Sequence, residues 1–214
     1  MDHSCTKRPS ECTIHFFLVR HGETDWNASQ RIQGHRDVPL NDRGLAQAEA
    51  VGRYFVGRHI NALYCSDLVR AQQTARPIAG ALNLQAMHNA DLRERNYGRC
   101  EGLTREQLVT DYLEDAHALK ARDPDYVLPG GESLNQHRQR IFTCLEQLIA
   151  CHAGQTVVVV THGGVLDLIY RHTTGMALDK PRNFPIPNAG INLLTVNNGQ
   201  WSIQLWAETT HLGE

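Results

Sequence analysis

Two histidines stand at matching places in this chain, each directly after a short apolar run. Ile14-His15-Phe16-Phe17-Leu18-Val19 continues into Arg20-His21-Gly22-Glu23-Thr24, and Val157-Val158-Val159-Val160 continues into Thr161-His162-Gly163-Gly164. A neutral imidazole can attack phosphorus, and a protonated one can hold an anion. The glycines let backbone N–H groups approach an anion where a helix begins. A lone histidine after a strand is more often a packed or surface residue. The pair, with Arg20 beside the first, points instead to phosphoryl chemistry.

The elements that must carry these residues alternate. Near-continuous β-branched and aromatic runs suit strands buried on both faces of a parallel sheet, whose ligands bind beyond the strands' carboxyl ends. After the polar loop Thr24–Asn41, a helix capped by Asn41 or Asp42 carries Leu45, Ala48, Val51, Phe55 and Val56 at helical spacing. A second strand, Ala62–Cys65, ends at Ser66-Asp67. The next helix carries Ala71, Ala75, Ile78, Ala79 and Leu82, with Arg70 in its first turn. A short strand over Leu84–Met87 leads into Asp91-Leu92-Arg93-Glu94. The stretch from about Leu103 to Arg122 reads as irregular helix, broken by Pro124, Pro129, Gly130 and Gly131. A long helix with Leu134, Ile141, Leu145, Leu148 and Ile149 on one face precedes the valine strand. A helix from about Gly164 to His172 follows, and two strands near Ile191–Val196 and Trp201–Trp206 flank the hairpin turn Asn197-Asn198-Gly199. The expected fold is an α/β three-layer sandwich. It has a mostly parallel sheet, an antiparallel edge and a small cap inserted between sheet elements. Residues 1–12 are expected to form a loose N-terminal extension and 13–214 a single domain, with the cap at about 95–131.

Composition narrows the partners. The chain has 214 residues and a net charge of −2, from 21 basic and 23 acidic side chains. That balance gives no electrostatic drive toward nucleic acid or an acidic membrane, so an anionic substrate needs a local cluster of arginines. No apolar run is long enough to span a bilayer, and the polar opening Met1–Glu11 does not read as a secretory signal. The six cysteines form no C-x-x-C pair, which predicts free thiols in a reducing cytoplasm. Cys65, beside Ser66, reads as a buried structural thiol. With no H-E-x-x-H, no C-x-x-C and no carboxylate-rich loop, neither a metal nor another cofactor is expected. The terminal hairpin offers an edge at which a second copy could pair into a homodimer.

Leu18-Val19-Arg20-His21-Gly22-Glu23-Thr24 resembles the signature of the histidine phosphatase superfamily, in its phosphoglycerate mutase-like branch. The resemblance extends through Ser66-Asp67-Leu68-Val69-Arg70-Ala71, Leu92-Arg93-Glu94-Arg95, Gly131-Glu132-Ser133 and Thr161-His162-Gly163-Gly164. These blocks fall in the family's order and cover the chain from about Thr13 to Leu212. The resemblance implies that His21 is a nucleophile forming a phosphohistidine and that Arg20, Arg70 and His162 hold the transferring phosphoryl group. It implies that Glu94 gives a proton to the leaving alcohol and then takes one from water. Asn27 and the backbone of Gly163 are expected as further phosphate donors, and Thr24, Gln33 and Gly34 as the mouth of the pocket. On local sequence, Glu94 could equally be a surface carboxylate paired with Arg93 or Arg95, and Glu23, next to the nucleophile, is its rival.

The segment between Glu94 and Gly131 is short compared with the cofactor-dependent mutases of that branch. It also lacks their adjacent arginine pair, offering only Arg122 with Lys120 nearby. Both departures favour water as the acceptor, hence a metal-independent phosphatase of small phosphomonoesters, sugar or carboxylated. Against them, Glu94-Arg95-Asn96-Tyr97-Gly98 looks like the mutase and sugar-bisphosphatase version of the motif, with Arg95 and Tyr97 placed to contact substrate. A phosphoglycerate mutase is therefore the alternative. An inactive phosphate-binding module ranks below both, because Arg20, His21, Arg70, Glu94 and His162 are all present.

Overall fold

The computed structural model describes residues 13–213; the expected N-terminal extension, with Cys5 and Cys12, lies outside them. Six strands form one mixed sheet. They are β1 (Ile14–Arg20), β2 (Ala62–Cys65), β3 (Ala86–His88), β4 (Thr156–Thr161), β5 (Ile191–Asn197) and β6 (Gln200–Glu208), in the order β3-β2-β4-β1-β5-β6. The first four run parallel, and β5 and β6 form the antiparallel edge. The two histidines come together through the register of β1 and β4. Arg20 lies opposite Thr161, and the N–H of His21 donates to the Thr161 carbonyl at 2.9 Å. His21 and His162, each one residue further on, therefore leave the sheet as neighbours.

Period-two alternation divides the core between the two faces. Phe16, Leu18, Val157 and Val159 pack with α6 (Leu134–Cys151) and α7 (Gly163–Thr174). Phe17, Val19, Val158 and Val160 pack with α2 (Asp42–Phe55) and α3 (Val69–Leu82). Beyond the strand ends, α4 (Arg105–Asp111) and α5 (Leu113–Ala121) form the cap around a small core of Cys100, Leu108, Ala116 and Leu128. Buried Asp115 ties that cap together, accepting from Arg99 Nε at 2.7 Å and from the Tyr126 hydroxyl at 2.6 Å.

Two local expectations shift, and two are made specific. Asn41 is the cap of α2, its side chain accepting from the Gly44 N–H at 2.8 Å. Leu45 and Val56 face solvent, 44% and 66% exposed. The helix instead turns Gly44 and Gln47 inward, where the backbone of Glu23 lies 2.0 Å from where a Cβ on Gly44 would stand. The third strand begins at Ala86 rather than Leu84. Asn83 adopts a left-handed conformation (φ 52°), and the Leu84 N–H closes the end of α3 on the Ala79 carbonyl. The Asn198-Gly199 turn has both residues at positive φ, 48° and 78°, the conformation a two-residue hairpin requires.

Candidate active site

His21 is 3% exposed, and its tautomer follows from one bond. Nδ1 lies 2.7 Å from the Gly22 carbonyl, which can only accept, so Nδ1 carries the proton and Nε2 of the neutral ring has the lone pair. The loop is held from several sides. Asn188 Nδ2 approaches the carbonyls of His21 and Gly22 at 3.1 and 3.2 Å and Asn27 Oδ1 at 3.1 Å. The Gly22 N–H donates to Thr74 Oγ1 at 3.0 Å. A Cβ on Gly22 would sit 2.6 Å from the Gly44 carbonyl oxygen, so the loop's close fit against α2 requires glycine.

Around His21 stand groups that favour an anion. His162 caps the N-terminus of α7, fully buried, with its ring centroid 5.1 Å from that of His21. Arg20 is aimed by Nη1 donating to the Ile186 carbonyl at 2.6 Å. Arg70 donates to the carbonyls of Gly34 at 2.7 Å and Arg36 at 2.8 Å. The Nε atoms of Arg20 and Arg70 and both ring nitrogens of His162 have no hydrogen-bond partner among the described residues. Buried polar groups are ordinarily paired, so this cluster can take an oxyanion. Burial lowers both guanidinium pKa values to about 10, which leaves them charged at neutral pH. Burial first, and Arg70 next, push His21 and His162 well below the usual imidazole value.

Glu94 accepts from the N–H of Arg95 through Oε1 and of Gly164 through Oε2, both at 2.8 Å. A Cβ on Gly164 would fall 2.0 Å from Glu94 Oε1, so this glycine makes room for the carboxylate. The Glu94 carbonyl is held by Arg140 Nη2 at 3.1 Å and His35 Nε2 at 2.9 Å. Arg93 does not pair with Glu94; it forks onto Asp67 at 2.7 and 2.6 Å. Glu23 turns away, accepting from Asn41 Nδ2 at 3.1 Å and facing Arg43 at 3.4 Å.

These groups open on a cleft of about 860 Å³. Arg20, His21, Asn27, Arg70 and Glu94 line its polar end, Gln33, Gly34 and Tyr97 its walls. Leu108, Val109, Ala116 and Leu119 of the cap line its apolar side, and Arg31, Arg105 and Lys120 also border it. Thr24 is fully buried; its hydroxyl meets Gln33 Oε1 at 3.0 Å and Asn27 Oδ1 at 3.1 Å, so it positions those two residues. Arg95 and Gly163 line a smaller neighbouring cavity rather than the cleft, with Arg95 Nε on the Glu132 carbonyl at 3.0 Å. Arg122 is held by Asp167 at 2.6 Å and also faces the smaller cavity. Cys65 is buried, and burial pushes its thiol up to about 12. The described cysteines, Cys65, Cys100, Cys144 and Cys151, are free.

Asn188 and Arg140 were not legible in the sequence. Nothing separates Asn188 from any other residue of a proline-rich loop, or Arg140 from a solvated helical arginine. The cap's part in the wall is legible only as amphipathic spacing. Among the described residues no helix is long and apolar enough to cross a membrane.

Residues 16–209 match the family model of the histidine phosphatase superfamily (branch 1). The chain is 39% identical over 201 residues to phosphoglycerate mutase-like protein 4 of Arabidopsis thaliana, covering 92% of this chain and 86% of that one. It is 38% identical over 200 residues to the metal-independent phosphoserine phosphatase of the same plant, covering 91% and 82%. Among solved structures, the native mycobacterial glucosyl-3-phosphoglycerate phosphatase superposes with a TM-score of 0.82 at 26% identity, covering 92% of this chain and all of that one.

Proposed function

The chain belongs to the histidine phosphatase superfamily, and we propose that it is a metal-independent phosphatase of small phosphomonoesters working through phospho-His21. The observation that carries this reading is the fixed tautomer of His21. Its Nε2 lone pair is set among Arg20, Arg70 and His162 at the polar end of the cleft. Nε2 attacks phosphorus, the bond from phosphorus to the alcohol oxygen breaks, and Glu94 delivers a proton to that oxygen. In the second half, Glu94 takes a proton from water, whose oxygen attacks phosphorus and returns the bonding pair to Nε2. Charge developing on the equatorial oxygens is met by fixed guanidinium groups, with no reorganisation at the moment of transfer. Phosphate bound beside His162 favours its protonated form and adds a donor.

Relatives named for phosphoserine and glucosyl-3-phosphoglycerate act on carboxylated phosphomonoesters, and Arg105 and Lys120 at this cleft suit such a leaving group. The apolar cap wall adds room for a non-polar portion. Arg122, tied to Asp167, does not offer the cleft a carboxylate grip, which favours water over a returning phosphoglycerate. We further propose that residues 13–214 act as one domain with its cap at 95–131, in a reducing cytoplasm that keeps the thiols free. A second copy, if bound, would pair at the β6 edge.

The test supplies 3-phosphoglycerate with a trace of 2,3-bisphosphoglycerate, and separately a panel of phosphomonoesters, after exhaustive EDTA treatment. Phosphate release should dominate and survive chelation. Isomerisation outrunning phosphate release, with no panel member hydrolysed efficiently, would make the protein a mutase.

A further inference from the structure

The smaller cavity, about 240 Å³, adjoins the cleft: Arg20, Glu94 and Tyr97 line both. Four arginines border it, Arg20, Arg95, Arg122 and Arg182, against the carboxylates of Glu94 and Asp167. Those carboxylates are already engaged. Asp167 accepts from Arg122 at 2.6 Å and Arg171 at 2.8 Å, and Glu94 accepts from two backbone N–H groups. The cavity is thus left with a surplus of positive charge. The start of the twelve-residue helix α7, at Gly163 and Gly164, forms part of its wall.

His137 supplies an independent observation. It lines this cavity and is 1% exposed. Its ring is hydrogen-bonded to the Arg93 backbone, while Nε2 has no partner among the described residues. Burial, then Arg140 and Arg95, push its pKa well down, so the neutral ring presents a lone pair that needs a donor. Guanidinium groups call for an oxyanion; a neutral imidazole acceptor calls for a hydroxyl. A carboxylate or sulfate has no hydroxyl to give. Hydrogenphosphate offers both, its anionic oxygens to the arginines and its P–O–H to His137.

We propose that this cavity is a second phosphate site, taking hydrogenphosphate beside the one at His21. Its anion binding stands on the cavity alone; its use as a waiting place for product rests on the phosphatase reading. Shared lining by Arg20 would let phosphate pass from the nucleophile's side while the alcohol leaves past the cap.

Equilibrium dialysis of labelled phosphate against the full chain tests this. Two equivalents should bind, and one equivalent of vanadate, taken up at His21, should displace only one. Arg182 is exposed, so Arg182→Ser should fold normally and weaken the vanadate-resistant phosphate by roughly fivefold or more. Sulfate should compete poorly for that phosphate. A single equivalent fully displaced by vanadate, equal binding in Arg182→Ser, or sulfate competing as well as phosphate would each overturn the proposal. Failure of the phosphatase reading is visible separately, as absence of phosphoenzyme while the second equivalent still binds.

Discussion

Glu94 and Gly164 are joined by a 2.8 Å hydrogen bond from backbone N–H to carboxylate, which ties the proposed proton donor to the same first helical turn that His162 caps. The two histidines and the carboxylate are therefore positioned together, from the ends of two paired strands and the helix that follows one of them.

That relationship makes two substitutions converge. Glu94→Gln should slow turnover by roughly 10²–10⁴-fold, with phosphate affinity little changed and the loss smallest for substrates with very good leaving groups. Gly164→Ala leaves the carboxylate in the chain but puts a methyl group 2.0 Å from Oε1, which must displace it, and should reproduce the same dependence on leaving group. Glu23→Gln should have little effect, since Glu23 is engaged with Asn41 and Arg43. Steady-state kinetics on a nitrophenyl and an alkyl phosphate decide the matter. A larger loss in Glu23→Gln would move the proton-transfer role there.

Asn188 braces the nucleophile loop through three acceptors. Asn188→Ala should lower the rate of His21 phosphorylation on the order of tenfold to hundredfold, because small misplacements of a reacting group are costly. Binding of phosphate by Arg20 and Arg70 should persist. Single-turnover rates set beside phosphate binding separate this positioning role from general destabilisation, which would weaken both.

Much of this arrangement is legible in the sequence alone. The valine run and its counterpart near the N-terminus place His21 and His162 at strand ends, and only parallel pairing of β1 with β4 is needed to unite them. Arg70 follows from the helix after Ser66-Asp67. Glu94 needed the family resemblance, since its neighbours Arg93 and Arg95 are equally plausible partners in sequence; the structure gives Arg93 to Asp67 instead. Asn188 and Arg140 act through bonds to backbone carbonyls far away in the chain. Such contacts depend on tertiary folding and leave no local pattern. The inward turn of Gly44 escaped for the same reason, because its partner is the backbone of Glu23.

Acid should destabilise the fold through buried histidines. His21, His137 and His162 sit well below the usual 6.5, chiefly through burial, and His172 and His211 are lowered in the same way. The unfolded chain gains protons below pH 6.5 that the folded one refuses, so stability is full above 6.5 and falls as pH drops toward the folded values. Each of the three fully buried rings, His21, His137 and His162, contributes a slope of up to about 1.4 kcal/mol per pH unit in that window; the solvent-facing His172 and the half-buried His211 add less. The lowered carboxylates Asp67 and Asp115 act only further down, below about pH 4. Urea unfolding at pH 7.5, 6.5 and 5.5 should show the loss setting in below 6.5, and saturating phosphate should reduce it by favouring protonated His162. A pH-independent midpoint across this range would contradict the neutral assignment of the three rings.

The cap wall should set leaving-group preference. Val109 is 54% exposed yet lines the cleft, so Val109→Asp should leave thermal stability nearly unchanged. It should raise KM several-fold for phosphomonoesters with an apolar leaving group, while kcat changes little, because that contact is equal in ground and transition states. KM unchanged across apolar and polar substrates would remove the cap from recognition.

The most direct test of the account is whether His21 itself carries the phosphoryl group. Rapid quench after mixing with a ³²P-labelled phosphomonoester should trap label that is stable in base and lost in acid. Peptide mapping should place it on the segment containing His21, and His21→Ala should show neither label nor turnover while remaining folded. Label on any other residue, or turnover at near-normal rate in His21→Ala, would contradict the assignment of His21 as nucleophile.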